Sequence, residues 1–167
     1  MPRFPEAALL GRPLVIAHRG ACRVAPATTL SAFHAAAALG ADAVELDARL
    51  SADGHVVVHH DRTLDRTTSG TGPLSQRTLR ELEALDAGAR FSPGFAGEKI
   101  PRLEEVFDGI AGRLLINVHF SNYENPHDGL PEAVVRLILA RGLEERVLCS
   151  SFDPRGLLAV RRAGRFL

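Results

Sequence analysis

The chain carries no surplus of either charge: Lys plus Arg and Asp plus Glu each number 20 in 167 residues. A nucleic-acid backbone or an anionic membrane rewards a basic excess, so the balance argues against both and for a small or neutral partner. There is no apolar run near the ~18 residues that cross a bilayer. The opening residues Met1-Pro2-Arg3-Phe4-Pro5-Glu6 lack both an uninterrupted apolar stretch and a small-residue cleavage site, so no secretory signal is expected. Cysteine is scarce. Cys22 and Cys149 have neither a metal-binding nor a redox spacing, and reduced thiols in a cytoplasmic protein are the expectation. Internal repeats and low-complexity segments are absent too. What remains is one soluble domain, 46% hydrophobic and 24% charged, long enough to bury a proper core.

Strand-like and helix-like segments alternate along the chain, which predicts an α/β protein with a mainly parallel sheet. Residues 14–17 read as a short strand buried on both faces. Thr28 or Thr29 caps a helix with Ala32, Phe33, Ala36 and Leu39 on one face, ending at Gly40. A strand over 43–50 follows, then Ser51-Ala52-Asp53-Gly54, where Asp-Gly suits a two-residue type I′ hairpin loop, and a returning strand over 55–59. Residues 61–100, punctuated by Thr, Ser, Gly and Pro with one helical stretch over 76–86, read as an inserted excursion within a single domain. Helices over 103–110, 130–141 and 155–163 alternate with strands over 114–118 and 147–152.

Three polar fragments stand out against this frame: His18-Arg19-Gly20 after an apolar run, Glu45-Leu46-Asp47 inside one, and His60-Asp61 after another. Glu45 and Asp47 are two apart on a strand and so project from one face. Two acids that close repel, and a hard divalent metal is the natural compensating cation. A two-residue hairpin loop would set His60 opposite Asp47, about 5 Å away at Cβ. Arg19 is a fork-shaped donor suited to phosphate oxygens, and Gly20 lets the backbone turn. His34, His55 and His127 read as ordinary surface or core histidines, while His59 points to the face opposite His60. Together these are the ingredients of metal-assisted phosphoryl transfer.

The ordered series extends further, through Pro26-Ala27-Thr28-Thr29, Ala32-Phe33, Gly40-Ala41-Asp42, Arg66-Thr67-Thr68, Gly72, Glu81-Leu82, Leu85-Asp86-Ala87-Gly88, Ile100-Pro101-Arg102-Leu103-Glu104-Glu105 and, more weakly, Leu148 to Asp153. In this series the chain resembles the glycerophosphodiester phosphodiesterase family. The resemblance implies a TIM-type (β/α)8 barrel of the PLC-like phosphodiesterase kind and hydrolysis of glycerophosphodiesters to glycerol 3-phosphate and an alcohol. By motif position it implies His18 and His60 as the general acid/base pair, Arg19 as the phosphate ligand, and Glu45 and Asp47 as ligands to Mg²⁺ or Ca²⁺.

Three features depart from the family pattern. Pro26-Ala27-Thr28-Thr29 stands where the family has Pro-Glu-Asn-Thr, losing a carboxylate and an amide. Asn117-Val118-His119-Phe120-Ser121 stands where it has Asn-Ile-Glu-Ile-Lys, which puts His119 in the place of the third metal ligand. A nitrogen there would tilt the preference toward Mn²⁺ or Zn²⁺. The third departure is length, since a barrel of this kind typically takes ~250 residues. About five of the eight β/α units are expected in the chain, as a truncated barrel or one completed by oligomerisation. The alternatives to a phosphodiesterase are a catalytically impaired pseudoenzyme and a lysophospholipase D-type diesterase acting on lipid-like diesters.

Overall fold

The computed structural model describes Phe4 and residues 11–164. The reading of the first six residues as no signal, Phe4 excepted, and the chain end at 165–167 lie outside the described residues. The elements run β1 (Ile16–His18), α1 (Leu30–Ala38), β2 (Ala43–Leu50), β3 (Val56–Val58), α2 (Leu79–Glu83), α3 (Leu103–Ile110), β4 (Leu115–Phe120), α4 (Leu130–Ala140), β5 (Val147–Ser150) and α5 (Pro154–Ala163). Single 3₁₀ turns lie at Leu74–Gln76 and Pro93–Phe95. The sheet order is β1-β2-β4-β5, all parallel, with β3 antiparallel to β2 off that path. This is the wall of an incomplete β/α barrel. Among the described residues no helix is long and apolar enough to cross a membrane.

Side-chain alternation explains why the sheet has one dry face. Val44, Leu46 and Ala48 of β2 and Ile116, Val118 and Phe120 of β4 are fully buried with Phe33, Phe107, Leu130 and Ile138 from the helices. Each large side chain so buried contributes about 1.5–3 kcal/mol by removal from water. The intervening residues Glu45, Asp47, Asn117 and His119 face the other way, into the barrel interior, below which Ala43 and Leu115 pack against Phe4 and Leu14. Residues 61–100 contribute no strand to this sheet and gather a separate small core from Leu64, Leu74, Leu82, Ala87 and Ile100 on Val57.

Several expectations shift in detail. The first strand lies one to two residues later than expected and forms a sheet edge, so Val15 (59%) and Ile16 (41%) are exposed rather than buried on both faces. Thr29 is the cap of α1, its hydroxyl accepting from the Ala32 N–H and donating to the Pro26 carbonyl. Leu39 is the helix's C-terminal cap and is exposed, because the helix stops before bringing it round to the core.

The hairpin also differs. Ser51 pairs with His55 across a three-residue loop, Gly54 takes φ +83°, and Asp53 does not enter the left-handed region, so the turn is not type I′. The Ser51 hydroxyl, which accepts from the His55 N–H and donates to Asp53, holds this wider loop. The register therefore slips by one: Ala48 opposes Val58, and His59, not His60, donates its N–H to the Asp47 carbonyl.

Candidate active site

The first strand ends in a turn that the side chains alone would not favour. Arg19 (φ 58°) and Gly20 (φ 79°) are consecutive left-handed residues. The Arg19 N–H donates to the Glu45 carbonyl at 3.0 Å and to Glu45 Oε2 at 3.2 Å, while the Arg19 carbonyl accepts from the Thr28 N–H at 3.1 Å. Strain of this kind persists where surrounding hydrogen bonds over-determine it. Here it stitches β1, β2 and the segment before α1 into one rim.

Thr28 is left-handed as well (φ 62°), a costly conformation for a β-branched residue and an easy one for asparagine. Thr28→Asn is therefore expected to stabilise the fold by about 1 kcal/mol, raising Tm by roughly 2–4 °C. A thermal melt showing no gain would refute this.

Register builds the rest of the site. His18 pairs with Glu45, and Glu45 with Asn117; Asp47 pairs with His119, and His119 with Ser150. Paired residues of a parallel ladder share a face, so these side chains line one cleft of about 440 Å³, joined by Arg19, His60, Ser121, Tyr123 and Phe152. His18 is largely exposed, with Nε2 3.7 Å from Glu45 Oε2. Asp47 is buried. Its Oδ1 accepts from the Ser121 hydroxyl at 2.9 Å, and its Oδ2 accepts no hydrogen bond but lies 3.6 Å from Arg19 Nε. Burial first, and the charge of Asp47 second, push the Glu45 carboxyl above its usual range.

His60 reaches this cleft although the register slips, because the chain leaves the strand after Val58 and period-two alternation no longer governs it. Arg49 Nε and Nη2 donate to the His60 carbonyl at 3.1 and 3.0 Å, fixing its backbone. Its Nδ1 lies 2.7 Å from Asp61 Oδ1, and Asp61 also accepts from Arg66 Nε at 2.6 Å. The Arg66 guanidinium first, and His60 with it, hold the Asp61 carboxyl well below the usual carboxylate range. A carboxylate can only accept, so Nδ1 is the donor of this bond and Nε2 is the ring nitrogen not engaged by Asp61.

His59 is buried, with Nε2 3.3 Å from the Thr63 carbonyl, and burial lowers its pKa. A histidine with a lowered folded pKa contributes stability above its unfolded value, near 6.5, that is lost as pH falls toward the folded value. Stability should thus decline as pH falls below about 6.5, and His59→Gln should flatten that decline. Unfolding curves with equal pH slopes for the two proteins would contradict it.

His119 is held differently from what its position suggests. Nδ1 lies 3.1 Å from the Ser150 hydroxyl, Nε2 lies 2.5 Å from the Tyr123 hydroxyl, and Phe152 stands edge-on at 5.1 Å. Burial keeps the ring toward its neutral form and the Tyr123 phenol toward its protonated one. Sequence reasoning attached no role to Asp61, although its adjacency to His60 was the available signal. Asn117 and Ser121 were legible in part, since they share the face of His119 by i, i+2 alternation and Ser121 stands in the place of the family's lysine, whereas Tyr123 and Ser150 gave no such signal. Phe152, 89% exposed, stands at its mouth.

A family model described as "Glycerophosphoryl diester phosphodiesterase family" matches residues 18–165. A curated relative named glycerophosphodiester phosphodiesterase, from Caldanaerobacter subterraneus subsp. tengcongensis, is 44% identical over 152 residues, covering 90% of this chain and 63% of that protein. A Bacillus subtilis relative named putative glycerophosphodiester phosphodiesterase YhdW is 50% identical over 143 residues, covering 86% and 58%. The chain thus spans about three fifths of the length of these relatives. The crystal structure of a glycerophosphodiester phosphodiesterase from Agrobacterium tumefaciens superposes with a TM-score of 0.83 at 35% identity, covering 91% of this chain and 63% of that one. An Oleispira antarctica phosphodiesterase in complex with the product sn-glycerol-3-phosphate superposes at 0.82 and 34% identity, covering 90% and 62%.

Proposed function

The chain belongs to the glycerophosphoryl diester phosphodiesterase family, and we propose that its cleft hydrolyses a glycerophosphodiester to glycerol 3-phosphate and an alcohol. The observation that carries this reading is the convergence of His18, Arg19, Glu45, Asp47 and His60 on one cleft. A cleft of about 440 Å³ suits a small diester.

The proposed roles follow from the geometry. His60, held through Nδ1 by Asp61, offers Nε2 to take the proton of the attacking oxygen. His18, the last residue of β1, protonates the departing alkoxide, so that water adds across the broken P–O bond. Arg19 pairs with a phosphoryl oxygen, and a ligand oxygen there would satisfy its buried Nε, which makes no hydrogen bond in the structure.

Glu45 and Asp47 fit a hard divalent cation such as Mg²⁺ or Ca²⁺. The Asp47 Oδ2 is buried without a hydrogen bond, and the charge of Asp47 adds to the cost of ionising Glu45 beside it. A cation bound there supplies Lewis-acid neutralisation of the diester's charge. Both ring nitrogens of His119 already have hydroxyl partners, so the Mn²⁺ preference argued from its nitrogen has no support in this arrangement. A cytoplasmic setting and turnover of glycerophospholipid products are the corresponding cellular and metabolic roles.

The test is release of glycerol 3-phosphate from glycerophosphocholine by the purified chain with Mg²⁺, Ca²⁺ or Mn²⁺ supplied separately. Release with at least one metal is expected. Folded protein inactive with all three would instead favour a pseudoenzyme that binds phosphate without turning it over.

A further inference from the structure

A divalent cation on Glu45 and Asp47 needs a further protein donor or must rely on water and substrate alone. Among the described residues no three His, Cys, Asp or Glu side chains converge as a metal-holding group, which directs the search for a protein donor to other side-chain types. His119 stands in the expected sequence position, but each of its nitrogens faces a hydroxyl, Ser150 on one side and Tyr123 on the other. Asn117 meets the requirement. It pairs with Glu45 across the β2–β4 ladder, one strand spacing away on the same face, and it lines the same cleft. Its Oδ1 is buried and makes no hydrogen bond, as is true of Asp47 Oδ2. Neither oxygen accepts a hydrogen bond, Arg19 Nε lying 3.6 Å from Asp47 Oδ2 and so beyond hydrogen-bond reach, and a shared hard cation would satisfy both.

We infer that Asn117 Oδ1 is the third protein ligand of the divalent cation held by Glu45 and Asp47, and that His119 is not a ligand. Ser121 is the positioning residue: by donating to Asp47 Oδ1 it leaves Oδ2 as the oxygen presented to the cation. His119, clamped by two hydroxyls and stacked edge-on against Phe152, shapes the wall of the cleft. The inference rests on the metal reading given above.

The test is calorimetric titration of the full chain with Mn²⁺, together with pulsed EPR of the bound ion. Asn117→Ala is expected to weaken Mn²⁺ binding by about tenfold or more. Its Oδ1 accepts no hydrogen bond, so the fold has no such bond to lose at that atom. Asn117→Asp should bind at least as tightly as the native chain, which separates ligation from packing. His119→Gln should change affinity by less than about threefold, and the EPR should show no imidazole ¹⁴N coupling. Imidazole coupling, or a larger loss from His119→Gln than from Asn117→Ala, would overturn the assignment. If Glu45→Gln abolishes binding while Asn117→Ala does not weaken it, only the assignment of Asn117 fails. If the native chain binds no Mn²⁺, the metal reading fails with it.

Discussion

Replacing His60 by alanine is expected to lower kcat for glycerol 3-phosphate release by about 10²–10⁴-fold, with KM changed far less. The size of the effect follows from how the ring is held. Arg49 fixes the His60 carbonyl through two hydrogen bonds, and Asp61, itself tied by Arg66, fixes Nδ1. Nε2 is left as the ring atom that can exchange a proton with the substrate. Because the Arg49 bonds go to backbone, the alanine variant keeps them, and a loss of activity reports on the imidazole rather than on the local fold. Asp61→Asn should lower kcat less, since the ring remains but its orientation is held by a neutral group. A His60→Ala loss below about tenfold, measured as initial rates on folded protein, would remove His60 from the proposed chemistry.

Gly20→Ala is expected to cost about 3–5 kcal/mol, the largest stability effect of any substitution considered. Two independent penalties add. The residue sits at φ +79°, where a side chain is strained, and a Cβ built there would lie 2.8 Å from both the carbonyl carbon and the Cβ of Ala32. That neighbour is helix α1 itself, which cannot yield as a flexible side chain would. It is further tied by the Ala21 N–H donating to the Ala32 carbonyl at 2.9 Å. For a chain of this size the melting temperature should fall by about 10 °C or more. Gly54→Ala is the control, with a similar φ of +83° and nothing within 4 Å of the added carbon, so it should cost only about 1–2 kcal/mol. Equal melting temperatures for the two variants would show that the close approach to α1 carries no weight.

The segments legible in the sequence were those whose local pattern and tertiary role agree. β2 and α3 fall on their expected residues because Val44-Leu46-Ala48 and Val106-Phe107-Ile110 alternate with the period of their own structure and bury that face. Short elements were less legible. Three-residue strands such as β1 and β3 have too few residues for a period, and their ends depend on neighbours: β1 is bounded by the Arg19 turn onto Glu45, and β3 by the departure of the chain toward Asp61. The hairpin register slipped because Asp53-Gly54 predicts positive φ at both residues, whereas the Ser51 side chain stabilises a longer loop that needs it only at Gly54.

In the site, the i, i+2 spacing of Glu45 and Asp47 was enough to put both on one face, since backbone pleat is a local property. The partner of each group was not local. Nothing in the spacing of Asn117, Ser121, Tyr123 and Ser150 says that Ser121 holds Asp47, that Tyr123 and Ser150 clamp His119, or that Asn117 lies beside Glu45. The parallel register of β2, β4 and β5 sets Asn117 beside Glu45 and Ser150 beside His119 and carries Ser121 to Asp47, while Tyr123 reaches His119 from four residues along the chain, just past β4.

By itself, then, the sequence determined the α/β alternation and the family and put forward five candidate groups, His18, Arg19, Glu45, Asp47 and His60, because periodicity, turn chemistry and motif order are properties of neighbouring residues. Only the tertiary structure decided which oxygens and nitrogens of the site are already engaged and which are not. Register brings together residues up to 74 positions apart, as in the hydrogen bond from Ser121 to Asp47, and burial removes the water that would otherwise satisfy every group alike. In that register His119 is occupied, and Asn117 and Asp47 each keep a buried oxygen without a hydrogen bond.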